Sequence, residues 1–323
     1  MLVVYLALIF AFSLLLVKAT DILIINIKRL AKTTRLGEFA VTTMILALAT
    51  SLPELFVGIT SALEGTPNLS LGNIIGSNIA NLSLVIGGAA LVGGALNVRG
   101  QFLRRDVFYA FLAGSAPMVL LFDKTLSRID GLILLALYGF YYVIVFAERK
   151  KPANSEEEEE GMVHRLLRRL NHQGGGKELA WIFLGVALLL FSADMIVRLA
   201  SQMALSLHLP LLLIGLFIVA VGTSLPELAF ELKAIRAHNP GMVFGDLLGS
   251  IVANGTLVIG VTSLLSPIRI QAFEEYLLAT MVFVATFGLF YLFIRTKRRL
   301  ERWEGIVLLG VYFLFVFLEL ARA

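Results

Sequence analysis

Shifted by 173 positions, the chain matches its own polar residues inside apolar runs, and this repeat limits the folds open to it more than any other feature. Thr50-Ser51-Leu52-Pro53-Glu54-Leu55 falls on Thr223-Ser224-Leu225-Pro226-Glu227-Leu228 without a gap. Gly72, Gly76, Ser77, Ala80 and Asn81 fall on Gly245, Gly249, Ser250, Ala253 and Asn254, and Leu84-Val85-Ile86-Gly87 falls on Leu257-Val258-Ile259-Gly260. From Thr50 to Gly87, 16 of 38 positions are identical in the two copies. Apolar composition can make any two hydrophobic segments look alike, but it cannot place Glu, Asn, Ser and Pro in register. Asp21 also falls on Asp194.

These polar residues sit in a chain built for lipid. It is 58% hydrophobic and only 15% charged, against about 45–50% and about 25% in soluble proteins, and its mean hydropathy is +0.87. Continuous apolar runs lie near residues 2–26, 38–63, 69–96, 105–122, 130–147, 179–203, 209–235, 242–265, 273–294 and 303–321. Many reach the roughly 20 residues that a helix needs to cross a hydrocarbon core. Outer-membrane barrel strands are shorter and alternate apolar with polar residues, so these runs are expected to be helices. Residues 2–17 lack a basic leading segment and are expected to form the first span rather than a removable leader. There is no Cys, which excludes disulfides and thiolate metal sites.

The expected fold class is therefore an all-α polytopic membrane protein with ten transmembrane helices. Residues 1–147 form one five-helix repeat, 148–178 a charged cytoplasmic linker, and 179–323 a second five-helix repeat. Because each half has an odd number of spans, the second enters the membrane from the opposite side, giving an inverted 5+5 repeat. Loops after odd-numbered spans, with the central loop, hold 21 of the 27 Lys and Arg. The positive-inside rule then places both termini outside the cytoplasm of a cell membrane. The acidic run at 156–160 reads as a solvated linker.

Glu54 and Glu227 lie well inside apolar spans, where a lone carboxylate costs roughly 2.5–3.5 kcal/mol on insertion scales. Each follows a Pro, which removes a backbone hydrogen bond and exposes carbonyl oxygen. Ser51 and Ser224 lie one turn before the Glu, while Ser77 with Asn81, and Ser250 with Asn254, share a helix face at i, i+4 spacing. The set comprises carboxylates, amides, hydroxyls and carbonyls, all oxygen donors, and no His. It suits a hard cation such as Ca²⁺ or Na⁺ rather than zinc or copper, and two Glu match the charge of one divalent ion.

Other features have plainer readings. Gly72-x-x-x-Gly76 and Gly245-x-x-x-Gly249 are small-residue helix-packing motifs. Asp21 and Asp194 are expected to be structural, and Glu231, whose repeat counterpart is Gly58, to lie in a vestibule or at the surface. The four His fall in loops or at span ends. An intramembrane aspartyl protease would need Asp194 and Asp246 facing each other, and no duplication supports that pair. There is no P-loop for ATP-driven pumping. No enzymatic activity, cofactor, nucleic acid or obligatory protein partner is expected.

The two copies of Thr-Ser-Leu-Pro-Glu-Leu, each followed by Gly-[Asn/Asp]-x-x-Gly-Ser-x-x-x-Asn, resemble the repeats of the cation/Ca²⁺ exchanger superfamily, and most closely its prokaryotic Na⁺/Ca²⁺ exchangers. The resemblance implies an antiporter that exchanges Ca²⁺ for Na⁺ by alternating access. Glu54, Asn81, Glu227 and Asn254 would form the core of its cation sites. Ser51, Ser77, Ser224 and Ser250 would flank it, with carbonyls near Ala47, Thr50, Ala220 and Thr223, and spans one and six would slide across this core. Two positions depart from the pattern: Asn254 stands where that branch carries Asp, and Ala49 where a Gly is expected. The alternative, an H⁺-coupled Ca²⁺ antiporter, usually shows a different motif, Gly-Asn-x-x-Glu.

Overall fold

The computed structural model describes residues 2–32, 50–97, 102–149, 176–236 and 240–322. The stretch 33–49, with the start of the expected second span, and residues 150–175, with the acidic run, lie outside the described residues.

Helices account for almost all of what is described. They are α1 (Leu2–Lys32), α2 (Leu52–Leu63), α3 (Pro67–Gly93), α4 (Phe102–Leu120), α5 (Arg128–Arg149), α6 (Gly176–Leu207), α7 (Leu211–Arg236), α8 (240–265), α9 (Phe273–Lys297) and α10 (Arg302–Leu320). Among the described residues, seven helices are long and apolar enough to cross a membrane: α1, α3, α4, α6, α7, α8 and α9. Pro67 and Pro240 stand at the first positions of α3 and α8, where a missing N–H costs the helix nothing.

Burial separates an inner layer from an outer one. The apolar windows of α3 and α8 are 83% and 78% buried, those of α1 and α6 only 22% and 33%. Helices α3 and α8 therefore form the centre, packed by α2, α7, α4, α5, α9 and α10. Helices α1 and α6 pack along each other and share a separate apolar cluster that includes Ile9, Leu16, Ala19, Leu189, Ala193 and Ile196. The main cluster runs through α3, α4, α8, α9 and α10.

Two short antiparallel bridges tie the halves together. Strand β1 (Leu96–Asn97), after α3, pairs with β4 (Arg299–Leu300), between α9 and α10. Strand β2 (Thr125–Leu126), between α4 and α5, pairs with β3 (Ile268–Arg269), after α8. Beside β4, Glu301 and Glu304 form a capping box at the start of α10. Hydrogen bonds from Lys297, Trp303 and Arg299 hold the Glu301 carboxyl down to about 2.

Candidate cation site

The same backbone device appears twice. At Ser51 the chain leaves helical geometry for one residue (φ −84°, ψ 4°) before α2, and at Ser224 it does the same (φ −82°, ψ 3°) in the middle of α7. Each break stands two residues before a Pro, which has no N–H to give to the carbonyl four residues back. It is a single-residue kink: Ser224 N–H still donates to Ala220 O at 3.0 Å, and Leu228 N–H to Ser224 O at 3.2 Å. A second device is a wider helical turn. Asn81–Val85 in α3 and Ala253–Val258 in α8 are π-helical, as is Gly215–Val219 in α7. Asn81 opens one such turn and Asn254 lies in its counterpart. Such turns release part of the backbone hydrogen-bond ladder and recur at functional sites.

Close helix contact then assembles the side chains. A Cβ on Gly72 would lie 2.1 Å from Leu212 O, and one on Gly76 would lie 2.0 Å from Leu216 O, so α3 runs directly against the backbone of α7. The stretch that would face Gly245 and Gly249 under the repeat, 39–47, lies outside the described residues.

The hydroxyls meet in matched pairs. Thr50 donates to Asp246 Oδ1 at 3.0 Å, and Thr223 donates to Asn73 Oδ1 at 3.0 Å. Thr50 and Ser250 hydroxyls are 3.3 Å apart, and Thr223 and Ser77 hydroxyls are also 3.3 Å apart. Each contact becomes the other under the 173-residue shift. Ser77 also reaches Glu54 Oε1 and Ala220 O, both at 3.5 Å.

Glu54 is 0% exposed and Glu227 1%, and the Glu54 charge reaches Glu227. Buried polar atoms are nearly always hydrogen-bonded, yet among the described residues Glu54 Oε2, both Glu227 oxygens, Asn81 Oδ1, Asn254 Oδ1 and the Ser51 and Ser224 hydroxyls have no partner. A bound cation would satisfy that concentration of inward oxygens. Among the described residues no three Asp, Glu, His or Cys side chains converge on one point, so an ion here would draw on amide, hydroxyl and carbonyl oxygens beside the carboxylates.

Nearly all of the expected ligands are buried: Glu54, Glu227, Asn81, Asn254, Ser51, Ser77, Ser224, Ser250, Thr50, Thr223 and Ala220, and contacts join Ser77 to Glu54, Thr223 and Ala220, and Thr50 to Ser250. Ala47 lies outside the described residues. Three neighbours of the site were not among the expected ligands. Asn73 and Asp246 accept from the threonines, and their polar, in-register placement in apolar helices is the signal that marks them. Asn78 accepts from Asn254 Nδ2 at 3.1 Å; its counterpart is Ile251, so the repeat could not reveal it. Glu231 corrects an expectation: it is 1% exposed, inside the protein rather than in a vestibule, in the stretch of α7 that packs against α8, α3 and α1. Asp194 is held by Arg198 Nε at 2.9 and 3.0 Å, and Arg198 also pairs with Glu64 at 2.8 Å. This surface network is separate from the buried Asp246, so the two Asp are not a catalytic pair.

Residues 4–147 and 177–321 match the family described as sodium/calcium exchanger protein. The chain belongs to that family. Among exchanger relatives, it is 27% identical over 331 residues to the sodium/calcium exchanger MaX1 of Methanosarcina acetivorans, covering 93% of this chain and 94% of that one. It is 29% identical over 300 residues to the putative antiporter CaxA of Alkalimonas amylolytica, covering 92% and 93%. Among solved structures, the sodium-calcium exchanger NCX_Mj soaked with Na⁺ and Sr²⁺ superposes with a TM-score of 0.63 at 26% identity, covering 98% of this chain and 99% of that one. The exchanger fold and the break in this chain's Thr-Ser-Leu-Pro-Glu segments therefore occur together, and cation/Ca²⁺ exchange is the activity of the family it belongs to.

Proposed function

We propose that the protein is a secondary active antiporter that exchanges Ca²⁺ for Na⁺ across the plasma membrane by alternating access. In this reading the chain crosses ten times as an inverted 5+5 repeat, with both termini outside the cytoplasm. The observation that carries it is the mirrored set of contacts around two buried Glu: Thr50 with Ser250 and Asp246, and Thr223 with Ser77 and Asn73, at equal distances. Inverted repeats place a substrate site where the halves meet, near the midplane. The strand pairs β1–β4 and β2–β3 support the same arrangement, since each joins loops that the basic-residue pattern assigns to one side.

Ca²⁺ sits between Glu54 and Glu227, completed by the Asn81 and Asn254 amide oxygens. Na⁺ uses the serine- and threonine-lined flanks, where Ser51, Ser77, Ser224 and Ser250 stand beside carbonyls near Ala47 and Ala220. Both ions draw on the same Glu oxygens, so they compete. The uncompensated pair of carboxylates is costly in lipid, so the empty carrier crosses slowly and exchange stays coupled. Helices α1 and α6, with their own apolar cluster, slide across the core to change access.

Ca²⁺/H⁺ exchange is the second reading, favoured by Asn254, whose neutral amide leaves the core one carboxylate poorer. The test is ⁴⁵Ca²⁺ flux in proteoliposomes with Na⁺, K⁺ and pH gradients imposed singly. Na⁺-driven uptake that Glu54→Gln abolishes is the expected result. Uptake driven by pH alone replaces the first reading with the second, and normal Na⁺-driven uptake in Glu54→Gln removes the site assignment.

A further inference from the structure

Two buried carboxylates of the second half have no carboxylate counterpart in the first. Under the repeat, Glu231 corresponds to Gly58 and Asp246 to Asn73. The first half has no room for a side chain at the equivalent place. A Cβ on Gly58 would lie 2.7 Å from Thr262 Oγ1, 3.0 Å from Val258 Cγ1 and 3.1 Å from Ser70 Oγ. The second half instead buries Glu231 to 1% exposure and Asp246 to 3%.

Neither carboxylate is fully satisfied. Asp246 Oδ1 accepts the Thr50 hydroxyl at 3.0 Å, but Asp246 Oδ2 and Glu231 Oε2 are buried without a hydrogen-bond partner among the described residues. Among the described residues neither has an ion-pair partner. The two side chains belong to helices that pack on each other, α7 and α8, and the Asp246 charge reaches Glu231.

Their position is informative. Glu231 lies one turn, roughly 6 Å of helix rise, beyond Glu227 toward the end of α7. Asp246 lies one turn before Ser250 toward the start of α8. Both are therefore displaced from the central site in one direction, toward the α7–α8 connection. Two unpaired carboxylates inside a membrane protein need neutralising, and their oxygen donors and joint charge of −2 match a hard divalent cation.

We propose that Glu231 and Asp246 form a second cation site, one helical turn from Glu227, that takes a divalent ion such as Ca²⁺ on its way between the α7–α8 side of the membrane and the central pair. The choice of Ca²⁺ rests on the exchanger reading. The site has no counterpart in the first half, so it serves one access route only, and the two faces of the carrier load their ions differently.

Equilibrium ⁴⁵Ca²⁺ binding to the purified full chain in Na⁺-free buffer tests this. Glu54→Gln is expected to remove the tighter binding and leave a weaker component of one ion per chain. Adding Glu231→Gln is expected to abolish that component. Asp246→Asn, which keeps the acceptor for Thr50, is expected to do the same if the Glu231 variant fails to give a monodisperse protein. Equal Ca²⁺ binding by Glu54→Gln with and without the second substitution overturns the proposal, as does the absence of any residual binding in Glu54→Gln alone. Binding counts are read without a gradient. Failure of Na⁺-driven flux in the unmodified chain would thus remove the exchanger reading and leave this result standing, and the reverse also holds.

Discussion

Replacing Gly76 with Ala tests how far the site depends on the approach of α3 to α7. The new Cβ would lie 2.0 Å from Leu216 O and 2.7 Å from Ala220 Cβ. Both obstacles are fixed parts of α7, so a side-chain rotation cannot relieve the clash. Ordinary contact begins at 3.4 Å, and 3.4 Å less 2.0 Å means that the helices must part by about 1.4 Å. Ser77 is the next residue, and its hydroxyl stands 3.3 Å from Thr223 Oγ1 and 3.5 Å from Glu54 Oε1. Separation by about 1.4 Å takes the first of these to about 4.7 Å, beyond hydrogen-bond reach. A displacement of about 1 Å at a positioning residue can cost about 10²-fold in rate, and overpacking costs roughly 1–3 kcal/mol of stability. Gly76→Ala is therefore expected to lower Ca²⁺ flux in proteoliposomes by about 100-fold, while still yielding folded protein by size-exclusion chromatography. Gly288→Ala is the control, because a Cβ there meets nothing within 4 Å, and its flux should match the unmodified protein. Near-normal flux and an unchanged half-saturating Ca²⁺ concentration in Gly76→Ala would refute the reasoning.

Asn78→Leu removes the acceptor that holds Asn254 Nδ2 at 3.1 Å; a net hydrogen bond of about 1 kcal/mol translates to a roughly fivefold weaker Ca²⁺ half-saturation in flux assays. Asn254→Asp adds a third carboxylate beside Glu54 and Glu227, and is expected to tighten Ca²⁺ binding and change the charge moved per cycle, read as a shift in reversal potential on solid-supported membranes. For Glu301, a carboxyl held down to about 2 against an ordinary 4.5 stabilises the fold fully above pH 4.5 and loses that effect as pH falls toward 2. Glu301→Ala should therefore lower the melting temperature by a constant amount from pH 8 to pH 5 in detergent, and the difference should shrink only below that; a difference that vanishes near pH 6 would contradict it.

The helical membrane character, the duplicated motif and most of the buried oxygen donors could be read from the chain alone, because lipid demands long apolar runs and makes every polar residue inside them conspicuous. Glu54 and Glu227 are conspicuous for that reason, and duplication supplied an internal check that needed no second sequence. Other features were decided only when the helices packed. Thr50 meets Asp246 across 196 positions, and Thr223 meets Asn73 across 150; such pairings depend on how α8 meets the start of α2 and how closely α3 approaches α7, which no local pattern encodes. Asn78 has no repeat counterpart, so periodicity was silent about its bond to Asn254. Glu231 looked like a residue near a span end, and only the packed structure shows that it is buried. Hydrophobicity and spacing act along one chain segment at a time, whereas burial and side-chain partnership arise from the surfaces of two or three helices at once. The donor set was therefore written in the sequence, and its geometry, with the lopsided pair Glu231 and Asp246, was left to the tertiary structure.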